Sequence, residues 1–211
     1  METTSYLQKL AAAGNADAQF RMGYRLAFSR QRPRPTDWLT AVRYWEAAAT
    51  QSCVRALFYL GTCYDAGLGV LQDVKTAYSY FLQAAEQGHV EAAFNVAFSL
   101  REGKIIAQDL PAAVGWYEQA ARMGDEGAQR DLGYCYMLGL GIAADEEQAV
   151  YWYKKAAING DRKAQFNLGL CYLAGTGVPK SGRWARHWFG KAAARGHRGA
   201  KAELRQLDSA K

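Results

Sequence analysis

The residues able to do chemistry here are few: four cysteines, three histidines and a set of glycine pairs. Cys63, Cys135 and Cys171 lie 72 and 36 residues apart, and Cys53 stands outside that series. Thiolates could ligate zinc, but no Cys-x-x-Cys pair is present. His89, His187 and His197 belong to no His-Glu-x-x-His, Ser-His-Asp or Cys-His arrangement that a sequence reveals. Gly67-Leu68-Gly69, Gly139-Leu140-Gly141 and Gly175-Thr176-Gly177 superficially suggest a phosphate loop, yet none is followed by the Gly-Lys-Ser/Thr that would hold a phosphate. The expectation is a protein with no catalytic residue, no metal and no cofactor, and hence not an enzyme.

What positions these residues is a repeat. Alanine pairs recur every 36 positions, at Ala48-Ala49, Ala84-Ala85, Ala120-Ala121, Ala156-Ala157 and Ala192-Ala193, with a half-copy at Ala12-Ala13. Aromatic pairs precede them at Tyr44-Trp45, Tyr80-Phe81, Trp116-Tyr117, Trp152-Tyr153 and Trp188-Phe189. A second block runs Leu60, Val96, Leu132, Leu168 and Leu204, with Gly61, Gly133 and Gly169 following three of its members. A period of this length is the mark of a solenoid or array, in which one supersecondary unit stacks on the next.

Within one unit, Leu60, Cys63 and Tyr64 fall on a single helical face, and Ala77, Tyr80, Phe81 and Ala84 mark a second. Gly67 and Gly69 let the chain turn between them. Asp73 and its equivalents Asp37, Asp109, Asp145 and Ser181 are good N-caps for the second helix, and Gly88 closes it. Each unit is thus expected to be a helical hairpin, with small residues letting helix axes approach and aromatic pairs filling the volume between layers. The sequence predicts an all-α fold, an α-solenoid wound as a right-handed superhelix of stacked antiparallel hairpins, with about twelve helices. It reads as one domain over 1–211: a leading helix in 1–15, hairpins at 16–53, 54–89, 90–125, 126–161 and 162–197, and a closing helix in 198–211.

The runs LGTCYDAGLGV, LGYCYMLGLGI and LGLCYLAGTGV, each followed by an aromatic pair and an Ala-Ala ending, resemble the Sel1-like repeat, a relative of the tetratricopeptide repeat. Two copies depart from the pattern: the first turns through a longer Arg/Pro segment at 29–35, and the third replaces its turn with Gly103-Lys104-Ile105. Some secreted members of that family are cross-linked by two cysteines of one hairpin. Here equivalent cysteines in neighbouring hairpins would stand about 8–10 Å apart, beyond the roughly 7 Å limit for a disulfide. They are expected to be small buried fillers in a reducing compartment. His89 and His197 share a turn position with Asp125 and Asp161 and are expected to be solvent-facing caps, while His187 packs beside Trp184 and Trp188.

Function is expected where the columns disagree. One series, Arg21, Tyr59, Asn95, Asp131 and Asn167, is followed three residues later by Tyr24, Thr62, Phe98, Tyr134 and Leu170, which places both on one face of the first helices. The resemblance implies that this face lines a concave groove that meets a peptide or protein partner. The alternative is that Phe98, Tyr134 and Leu170 simply pack between hairpins. A second candidate is a basic patch of Arg183, Arg186, Lys191, Arg195, Arg198, Lys201 and Arg205. Interleaved with Trp184 and Trp188, it could bind nucleic acid or an acidic partner, although both tryptophans match columns of core aromatics.

The net charge of +6 is unevenly placed: residues 1–45 carry seven Lys/Arg against three Asp/Glu, 46–177 ten against fifteen, and 178–211 nine against two. The leading segment METTSYLQKLAAAG has neither the basic start nor the apolar core of a signal peptide or anchor, so a cytoplasmic protein without membrane insertion is expected. The terminal helices offer ends through which copies could self-associate. The sequence thus predicts a protein-binding scaffold or adaptor in a bacterial signalling, secretion or stress assembly, with nucleic-acid or acidic-partner binding through the basic C-terminal hairpin as the lesser alternative and an enzyme as the least.

Overall fold

The computed structural model describes residues 4–28 and 33–209, and among them the chain is twelve α-helices with no strand. The chain forms two compact units, Met1–Ala107 and Gln108–Lys211, each taken by itself. The first holds α1 (Thr4–Ala12), α2 (Ala16–Phe28), α3 (Pro35–Ala49), α4 (Val54–Ala66), α5 (Val74–Glu86) and α6 (Val90–Glu102). The second holds α7 (Leu110–Arg122), α8 (Glu126–Leu138), α9 (Glu146–Asn159), α10 (Arg162–Ala174), α11 (Gly182–Ala194) and α12 (Arg198–Ser209). The pairs α2/α3, α4/α5, α8/α9 and α10/α11 are the expected hairpins.

Both ends of the hairpin turn are pinned. The first helix stops at a glycine, and the next residue donates back into its last turn: Leu68 N–H reaches the Cys63 carbonyl at 2.9 Å and Leu140 N–H the Cys135 carbonyl at 3.0 Å. Five residues on, the N-cap does the same, Asp73 N–H meeting the Tyr64 carbonyl and Asp145 N–H the Tyr136 carbonyl, both at 2.9 Å. The cap side chains of Asp73, Asp109, Asp145 and Ser181 then accept from the first turn of the helix that follows. Gly141 shows why the second glycine is needed: φ is +73°, and a Cβ there would run into the Leu110 carbonyl.

Asp37 departs from the expected cap. Proline needs no N–H and is set for the first helical position, so Pro35 starts α3 early and makes Arg34 the N-cap. Asp37 becomes a buried third-position residue that accepts from the Arg34 backbone N–H at 3.0 Å. Residues 29–32 of the irregular turn lie outside the described residues.

The alanine pair owes its first member to the turn between hairpins. Ala48, Ala84, Ala120, Ala156 and Ala192 are fully buried, and their carbonyls accept from the next N-cap residues Cys53, His89, Asp125, Asp161 and His197 at 3.0–3.2 Å. In every aromatic pair the second ring is buried, Trp45, Tyr117 and Phe189 fully and Tyr153 nearly so; the first ring is half-buried at Tyr44, Tyr80 and Trp116 and joins the core only at Trp152 and Trp188. Gly23, Gly61, Gly133 and Gly169 give these rings their space, since a Cβ at any of them would meet Trp45, Phe81, Tyr153 or Phe189 at 2.5–2.8 Å. Burying one such ring contributes about 1.5–3 kcal/mol.

Candidate binding face

The residues expected on the first-helix face are not equivalent in the structure. In the first unit α2 and α4 bring Arg21, Tyr24 and Tyr59 together. Tyr24 and Tyr59 meet edge to face at 5.7 Å, and Tyr59 stacks on Trp45 at 5.1 Å. Phe28 closes on Tyr24 at 4.8 Å, leaving Tyr24 and Phe28 45% and 47% exposed beside buried Phe20 and Trp45. Burial pushes the Tyr59 phenol up, Tyr24 and Glu91 reinforcing the shift and Arg55 opposing it, so its hydroxyl stays neutral and able to donate.

These rings form one wall of a cleft of about 610 Å³ lined by Leu7, Phe20, Arg21, Tyr24, Arg25, Arg55, Phe58, Tyr59, His89 and Glu91. That volume lies in the range of ligand-binding clefts. The Arg55 guanidinium lies 4.3 Å above the Phe20 ring and reaches Asp17 at 2.6 Å, with Arg21 at 3.8 Å from the same carboxylate. His89 forms part of the floor: its ring stacks on Phe58 at 4.4 Å, and its Nδ1 accepts from the Ala92 N–H at 3.4 Å. It is a cap, as expected, but a half-buried one. His197 repeats this in the second unit, stacked on Phe166 at 4.3 Å and capping Ala200 N–H at 3.2 Å.

Arg25 was legible in retrospect. It occupies the position at which later units carry Cys63, Ser99, Cys135 and Cys171, all buried, whereas Arg25 is exposed. A basic residue breaking a column of small ones is a signal in itself. Arg55, Phe58 and Glu91 gave none, because their contribution depends on helices of neighbouring repeats meeting within the first unit.

Thr62 is half-buried and donates its hydroxyl to the Phe58 carbonyl at 3.1 Å. On α6 Asn95 is half-buried, and Phe98 is 44% exposed with the Arg101 guanidinium 5.2 Å from its ring. In the second unit Tyr134 and Leu170 are exposed at 42% and 37%, so they and Phe98 are not the packed residues of the alternative reading. Asn167 is half-buried. Asp131 corrects the expectation of a presented side chain: it is 8% exposed and bonded to Arg130 at 2.6 Å. Arg130 also reaches Asp161 at 3.0 Å. Burial opposes the Arg130 charge, but the two carboxylates outweigh it and raise its pKa.

The basic residues of α11 and α12 are partly recruited by the fold. Arg186 donates to the Leu207 carbonyl at 3.0 Å and pairs with Asp208 at 3.1 Å, tying α12 to α11. The Lys191 ammonium sits 4.9 Å from the Trp188 ring, and Arg195 packs against Gly160. Lys191 and Arg195 are nonetheless exposed, as are Arg183, Arg198, Lys201 and Arg205. Trp188 is buried as expected, but Trp184 is 48% exposed and stacks on Tyr172 at 6.0 Å, so it does not belong to the core column. His187 meets both tryptophans edge to face. No disulfide joins the four cysteines; Cys63, Cys135 and Cys171 are buried, as expected of packing residues, and burial pushes the Cys63 thiol up to about 12 and that of Cys171 to about 11. Among the described residues no group of three or more His, Cys, Asp or Glu could hold a metal ion, and no helix is long and apolar enough to cross a membrane.

Capped two-helix units repeated along the chain, with varied side chains on the faces of their first helices, define an α-solenoid repeat protein. The chain belongs to the Sel1 repeat family, whose model matches residues 16–53, 54–89, 90–125, 127–161 and 162–197. It is similar to c5321, a protective antigen present in uropathogenic Escherichia coli strains and displaying an SLR fold, with 29% identity and a TM-score of 0.91 over 98% of this chain. That alignment covers 44% of the antigen, so this chain spans less than half of its length. A Sel1 repeat protein from Oxalobacter formigenes is 31% identical with a TM-score of 0.83, over 95% of this chain and 81% of the other. Helicobacter pylori cysteine rich protein B is 26% identical with a TM-score of 0.51, over 63% and 96%. No curated protein matches the sequence. Sel1 repeat proteins are generally protein-interaction scaffolds.

Proposed function

We propose that this protein is a non-catalytic adaptor that binds a peptide or protein segment on the first-helix face of its N-terminal unit. The observation that carries this is the cleft between α2 and α4, where exposed aromatic rings adjoin arginines on a packed floor. Aromatic and arginine side chains in such settings are the usual anchors of protein interfaces. Helices fixed by caps and core rings lose little freedom on binding, which favours affinity. The similar structures from Escherichia coli and Oxalobacter formigenes support a bacterial setting, and cysteines used as buried packing residues suit a reducing, cytoplasmic one. Tyr134 and Leu170 supply a lesser contact surface on the second unit.

The test is affinity capture of partners followed by measurement of their binding to variants. Tyr24→Ala and Tyr59→Ala are expected to weaken capture by about tenfold or more with the helical circular-dichroism signal retained. Capture unchanged in both variants would place the binding surface elsewhere.

A further inference from the structure

The cleft of the N-terminal unit has a composition that its aromatic character alone does not require. Three of its ten lining residues are arginines, Arg21, Arg25 and Arg55, and one is acidic, Glu91. We propose that the cleft takes an acidic peptide segment of a partner protein, one in which carboxylates stand next to an aromatic or aliphatic side chain. This rests on the peptide-binding reading above and adds the chemistry of the ligand.

The guanidinium is a planar fork that matches a carboxylate with two parallel hydrogen bonds, and it tolerates an aromatic face beneath it. Arg55 is already held that way, 4.3 Å above Phe20. Its present carboxylate partner, Asp17, is 56% exposed, as is Arg55. Solvent-exposed pairs of this kind contribute little, so an incoming carboxylate can share or replace Asp17 at slight loss. Arg25 and Arg21 stand one helical turn apart on α2, with Tyr24 between them on the cleft wall. A ligand carboxylate on the arginines therefore has its neighbouring side chain against Tyr24, Tyr59 and Phe58. The excess of basic over acidic residues in 1–45 gives the approach a favourable field.

The same charges argue against a nucleic-acid strand in this cleft. Glu91 lines it and Asp17 borders it, so a continuous phosphate backbone would meet two carboxylates. A segment with one or two acidic residues can set them on the arginines and keep clear of Glu91. A volume of about 610 Å³ suits a few residues rather than an extended polymer.

Selection from a random peptide display library on the whole protein tests this, with Arg25→Glu and Tyr24→Ala as parallel baits and circular dichroism confirming that each is folded. Peptides selected by the native protein are expected to be enriched in Asp and Glu beside Phe, Tyr, Trp or Leu. Synthetic copies should bind at least about tenfold more tightly than the same peptides with Asn and Gln in place of the acids. Arg25→Glu should remove that preference, while Tyr24→Ala should weaken acid and amide peptides alike. Selected peptides that are neutral or basic, or acid and amide forms that bind equally, would overturn the acidic assignment and leave the peptide-binding reading intact. A single-stranded oligonucleotide that binds the native protein more tightly than the selected peptides, and loses affinity in Arg25→Glu, would overturn it in favour of a phosphate ligand. Failure to select any peptide would sink both readings.

Discussion

At Gly133 a Cβ would stand 2.8 Å from Tyr153 Cδ1 and 3.0 Å from the Ala149 carbonyl oxygen. The ring it meets is 2% exposed and belongs to the packed core with Ala149, Leu168 and Cys171. Gly133→Leu is therefore expected to destabilise the protein by about 1–3 kcal/mol, seen as a lower midpoint in thermal unfolding; an unchanged curve would contradict this packing. The glycine and aromatic columns were both visible in the sequence, and their spacing implied small against large. Asp131 was misread for the opposite reason. It shares a column with Asn95 and Asn167, but the column one residue earlier changes from Phe58, Phe94 and Phe166 to Arg130, which draws the carboxylate inward. Hydrophobic periodicity carries no information about such a local pairing of charges.

At the scale of the helix, the caps carry the pH dependence. His89 and His197 each accept a backbone N–H through Nδ1, which requires a neutral ring. Burial lowers the pKa of His89 against the opposing pull of Glu91; for His197 burial is joined by Arg162 and Lys163, with Asp161 opposing. With both folded values below the ordinary value of about 6.5, the unfolded chain binds more protons below neutrality. Their contribution is present in full above that value and is lost as pH falls through the depressed folded values. Thermal unfolding between pH 7 and pH 5 is expected to show a falling midpoint, and the double variant His89→Asn, His197→Asn a shallower fall, since Asn caps without titrating. Equal slopes would mean that these caps are not the source. The hairpins and four of the five expected second-helix caps were legible, because glycine and Asp mark helix ends by simple backbone chemistry. The start of α3 was not, because Pro35 takes precedence over Asp37. The stacking of histidine on phenylalanine across a hairpin was equally hidden, since it joins residues 31 apart.

For the molecule as a whole, charge is the property that most invites a second function. The strand of basic residues from Arg183 to Arg205 has the composition of a phosphate-binding surface, but Arg186 is committed to Asp208 and the Leu207 carbonyl, and Lys191 lies against Trp188. Arg195 packs against Gly160, and the other four, Arg183, Arg198, Lys201 and Arg205, are spread over two helices. Filter binding is expected to retain neither RNA nor DNA at low-micromolar protein, even at low salt, where phosphate contacts are strongest. Retention that declines steeply with added salt would restore that patch as a binding site. Overall charge was legible from the sequence; which of its members were already occupied depended on tertiary contacts.

The pairings within hairpins have a consequence for how such a chain can lengthen. Gly61 with Phe81, Gly133 with Tyr153, Gly169 with Phe189, Phe58 with His89, and Arg130 with Asp161 all lie inside one matched repeat. By contrast, Gln19, Gln129 and Gln165 reach back across the boundary to the carbonyls of Ala11, Ala121 and Ala157, groups that any residue supplies. A 36-residue segment copied in register therefore brings these side-chain partners with it, and meets its neighbour through backbone carbonyls and through the alanine, leucine and cysteine columns that the copies repeat. The cleft is the exception. Tyr24 with Tyr59 and Asp17 with Arg55 join two different repeats, so an insertion between residues 53 and 54 would preserve every hairpin and separate the two halves of the binding site.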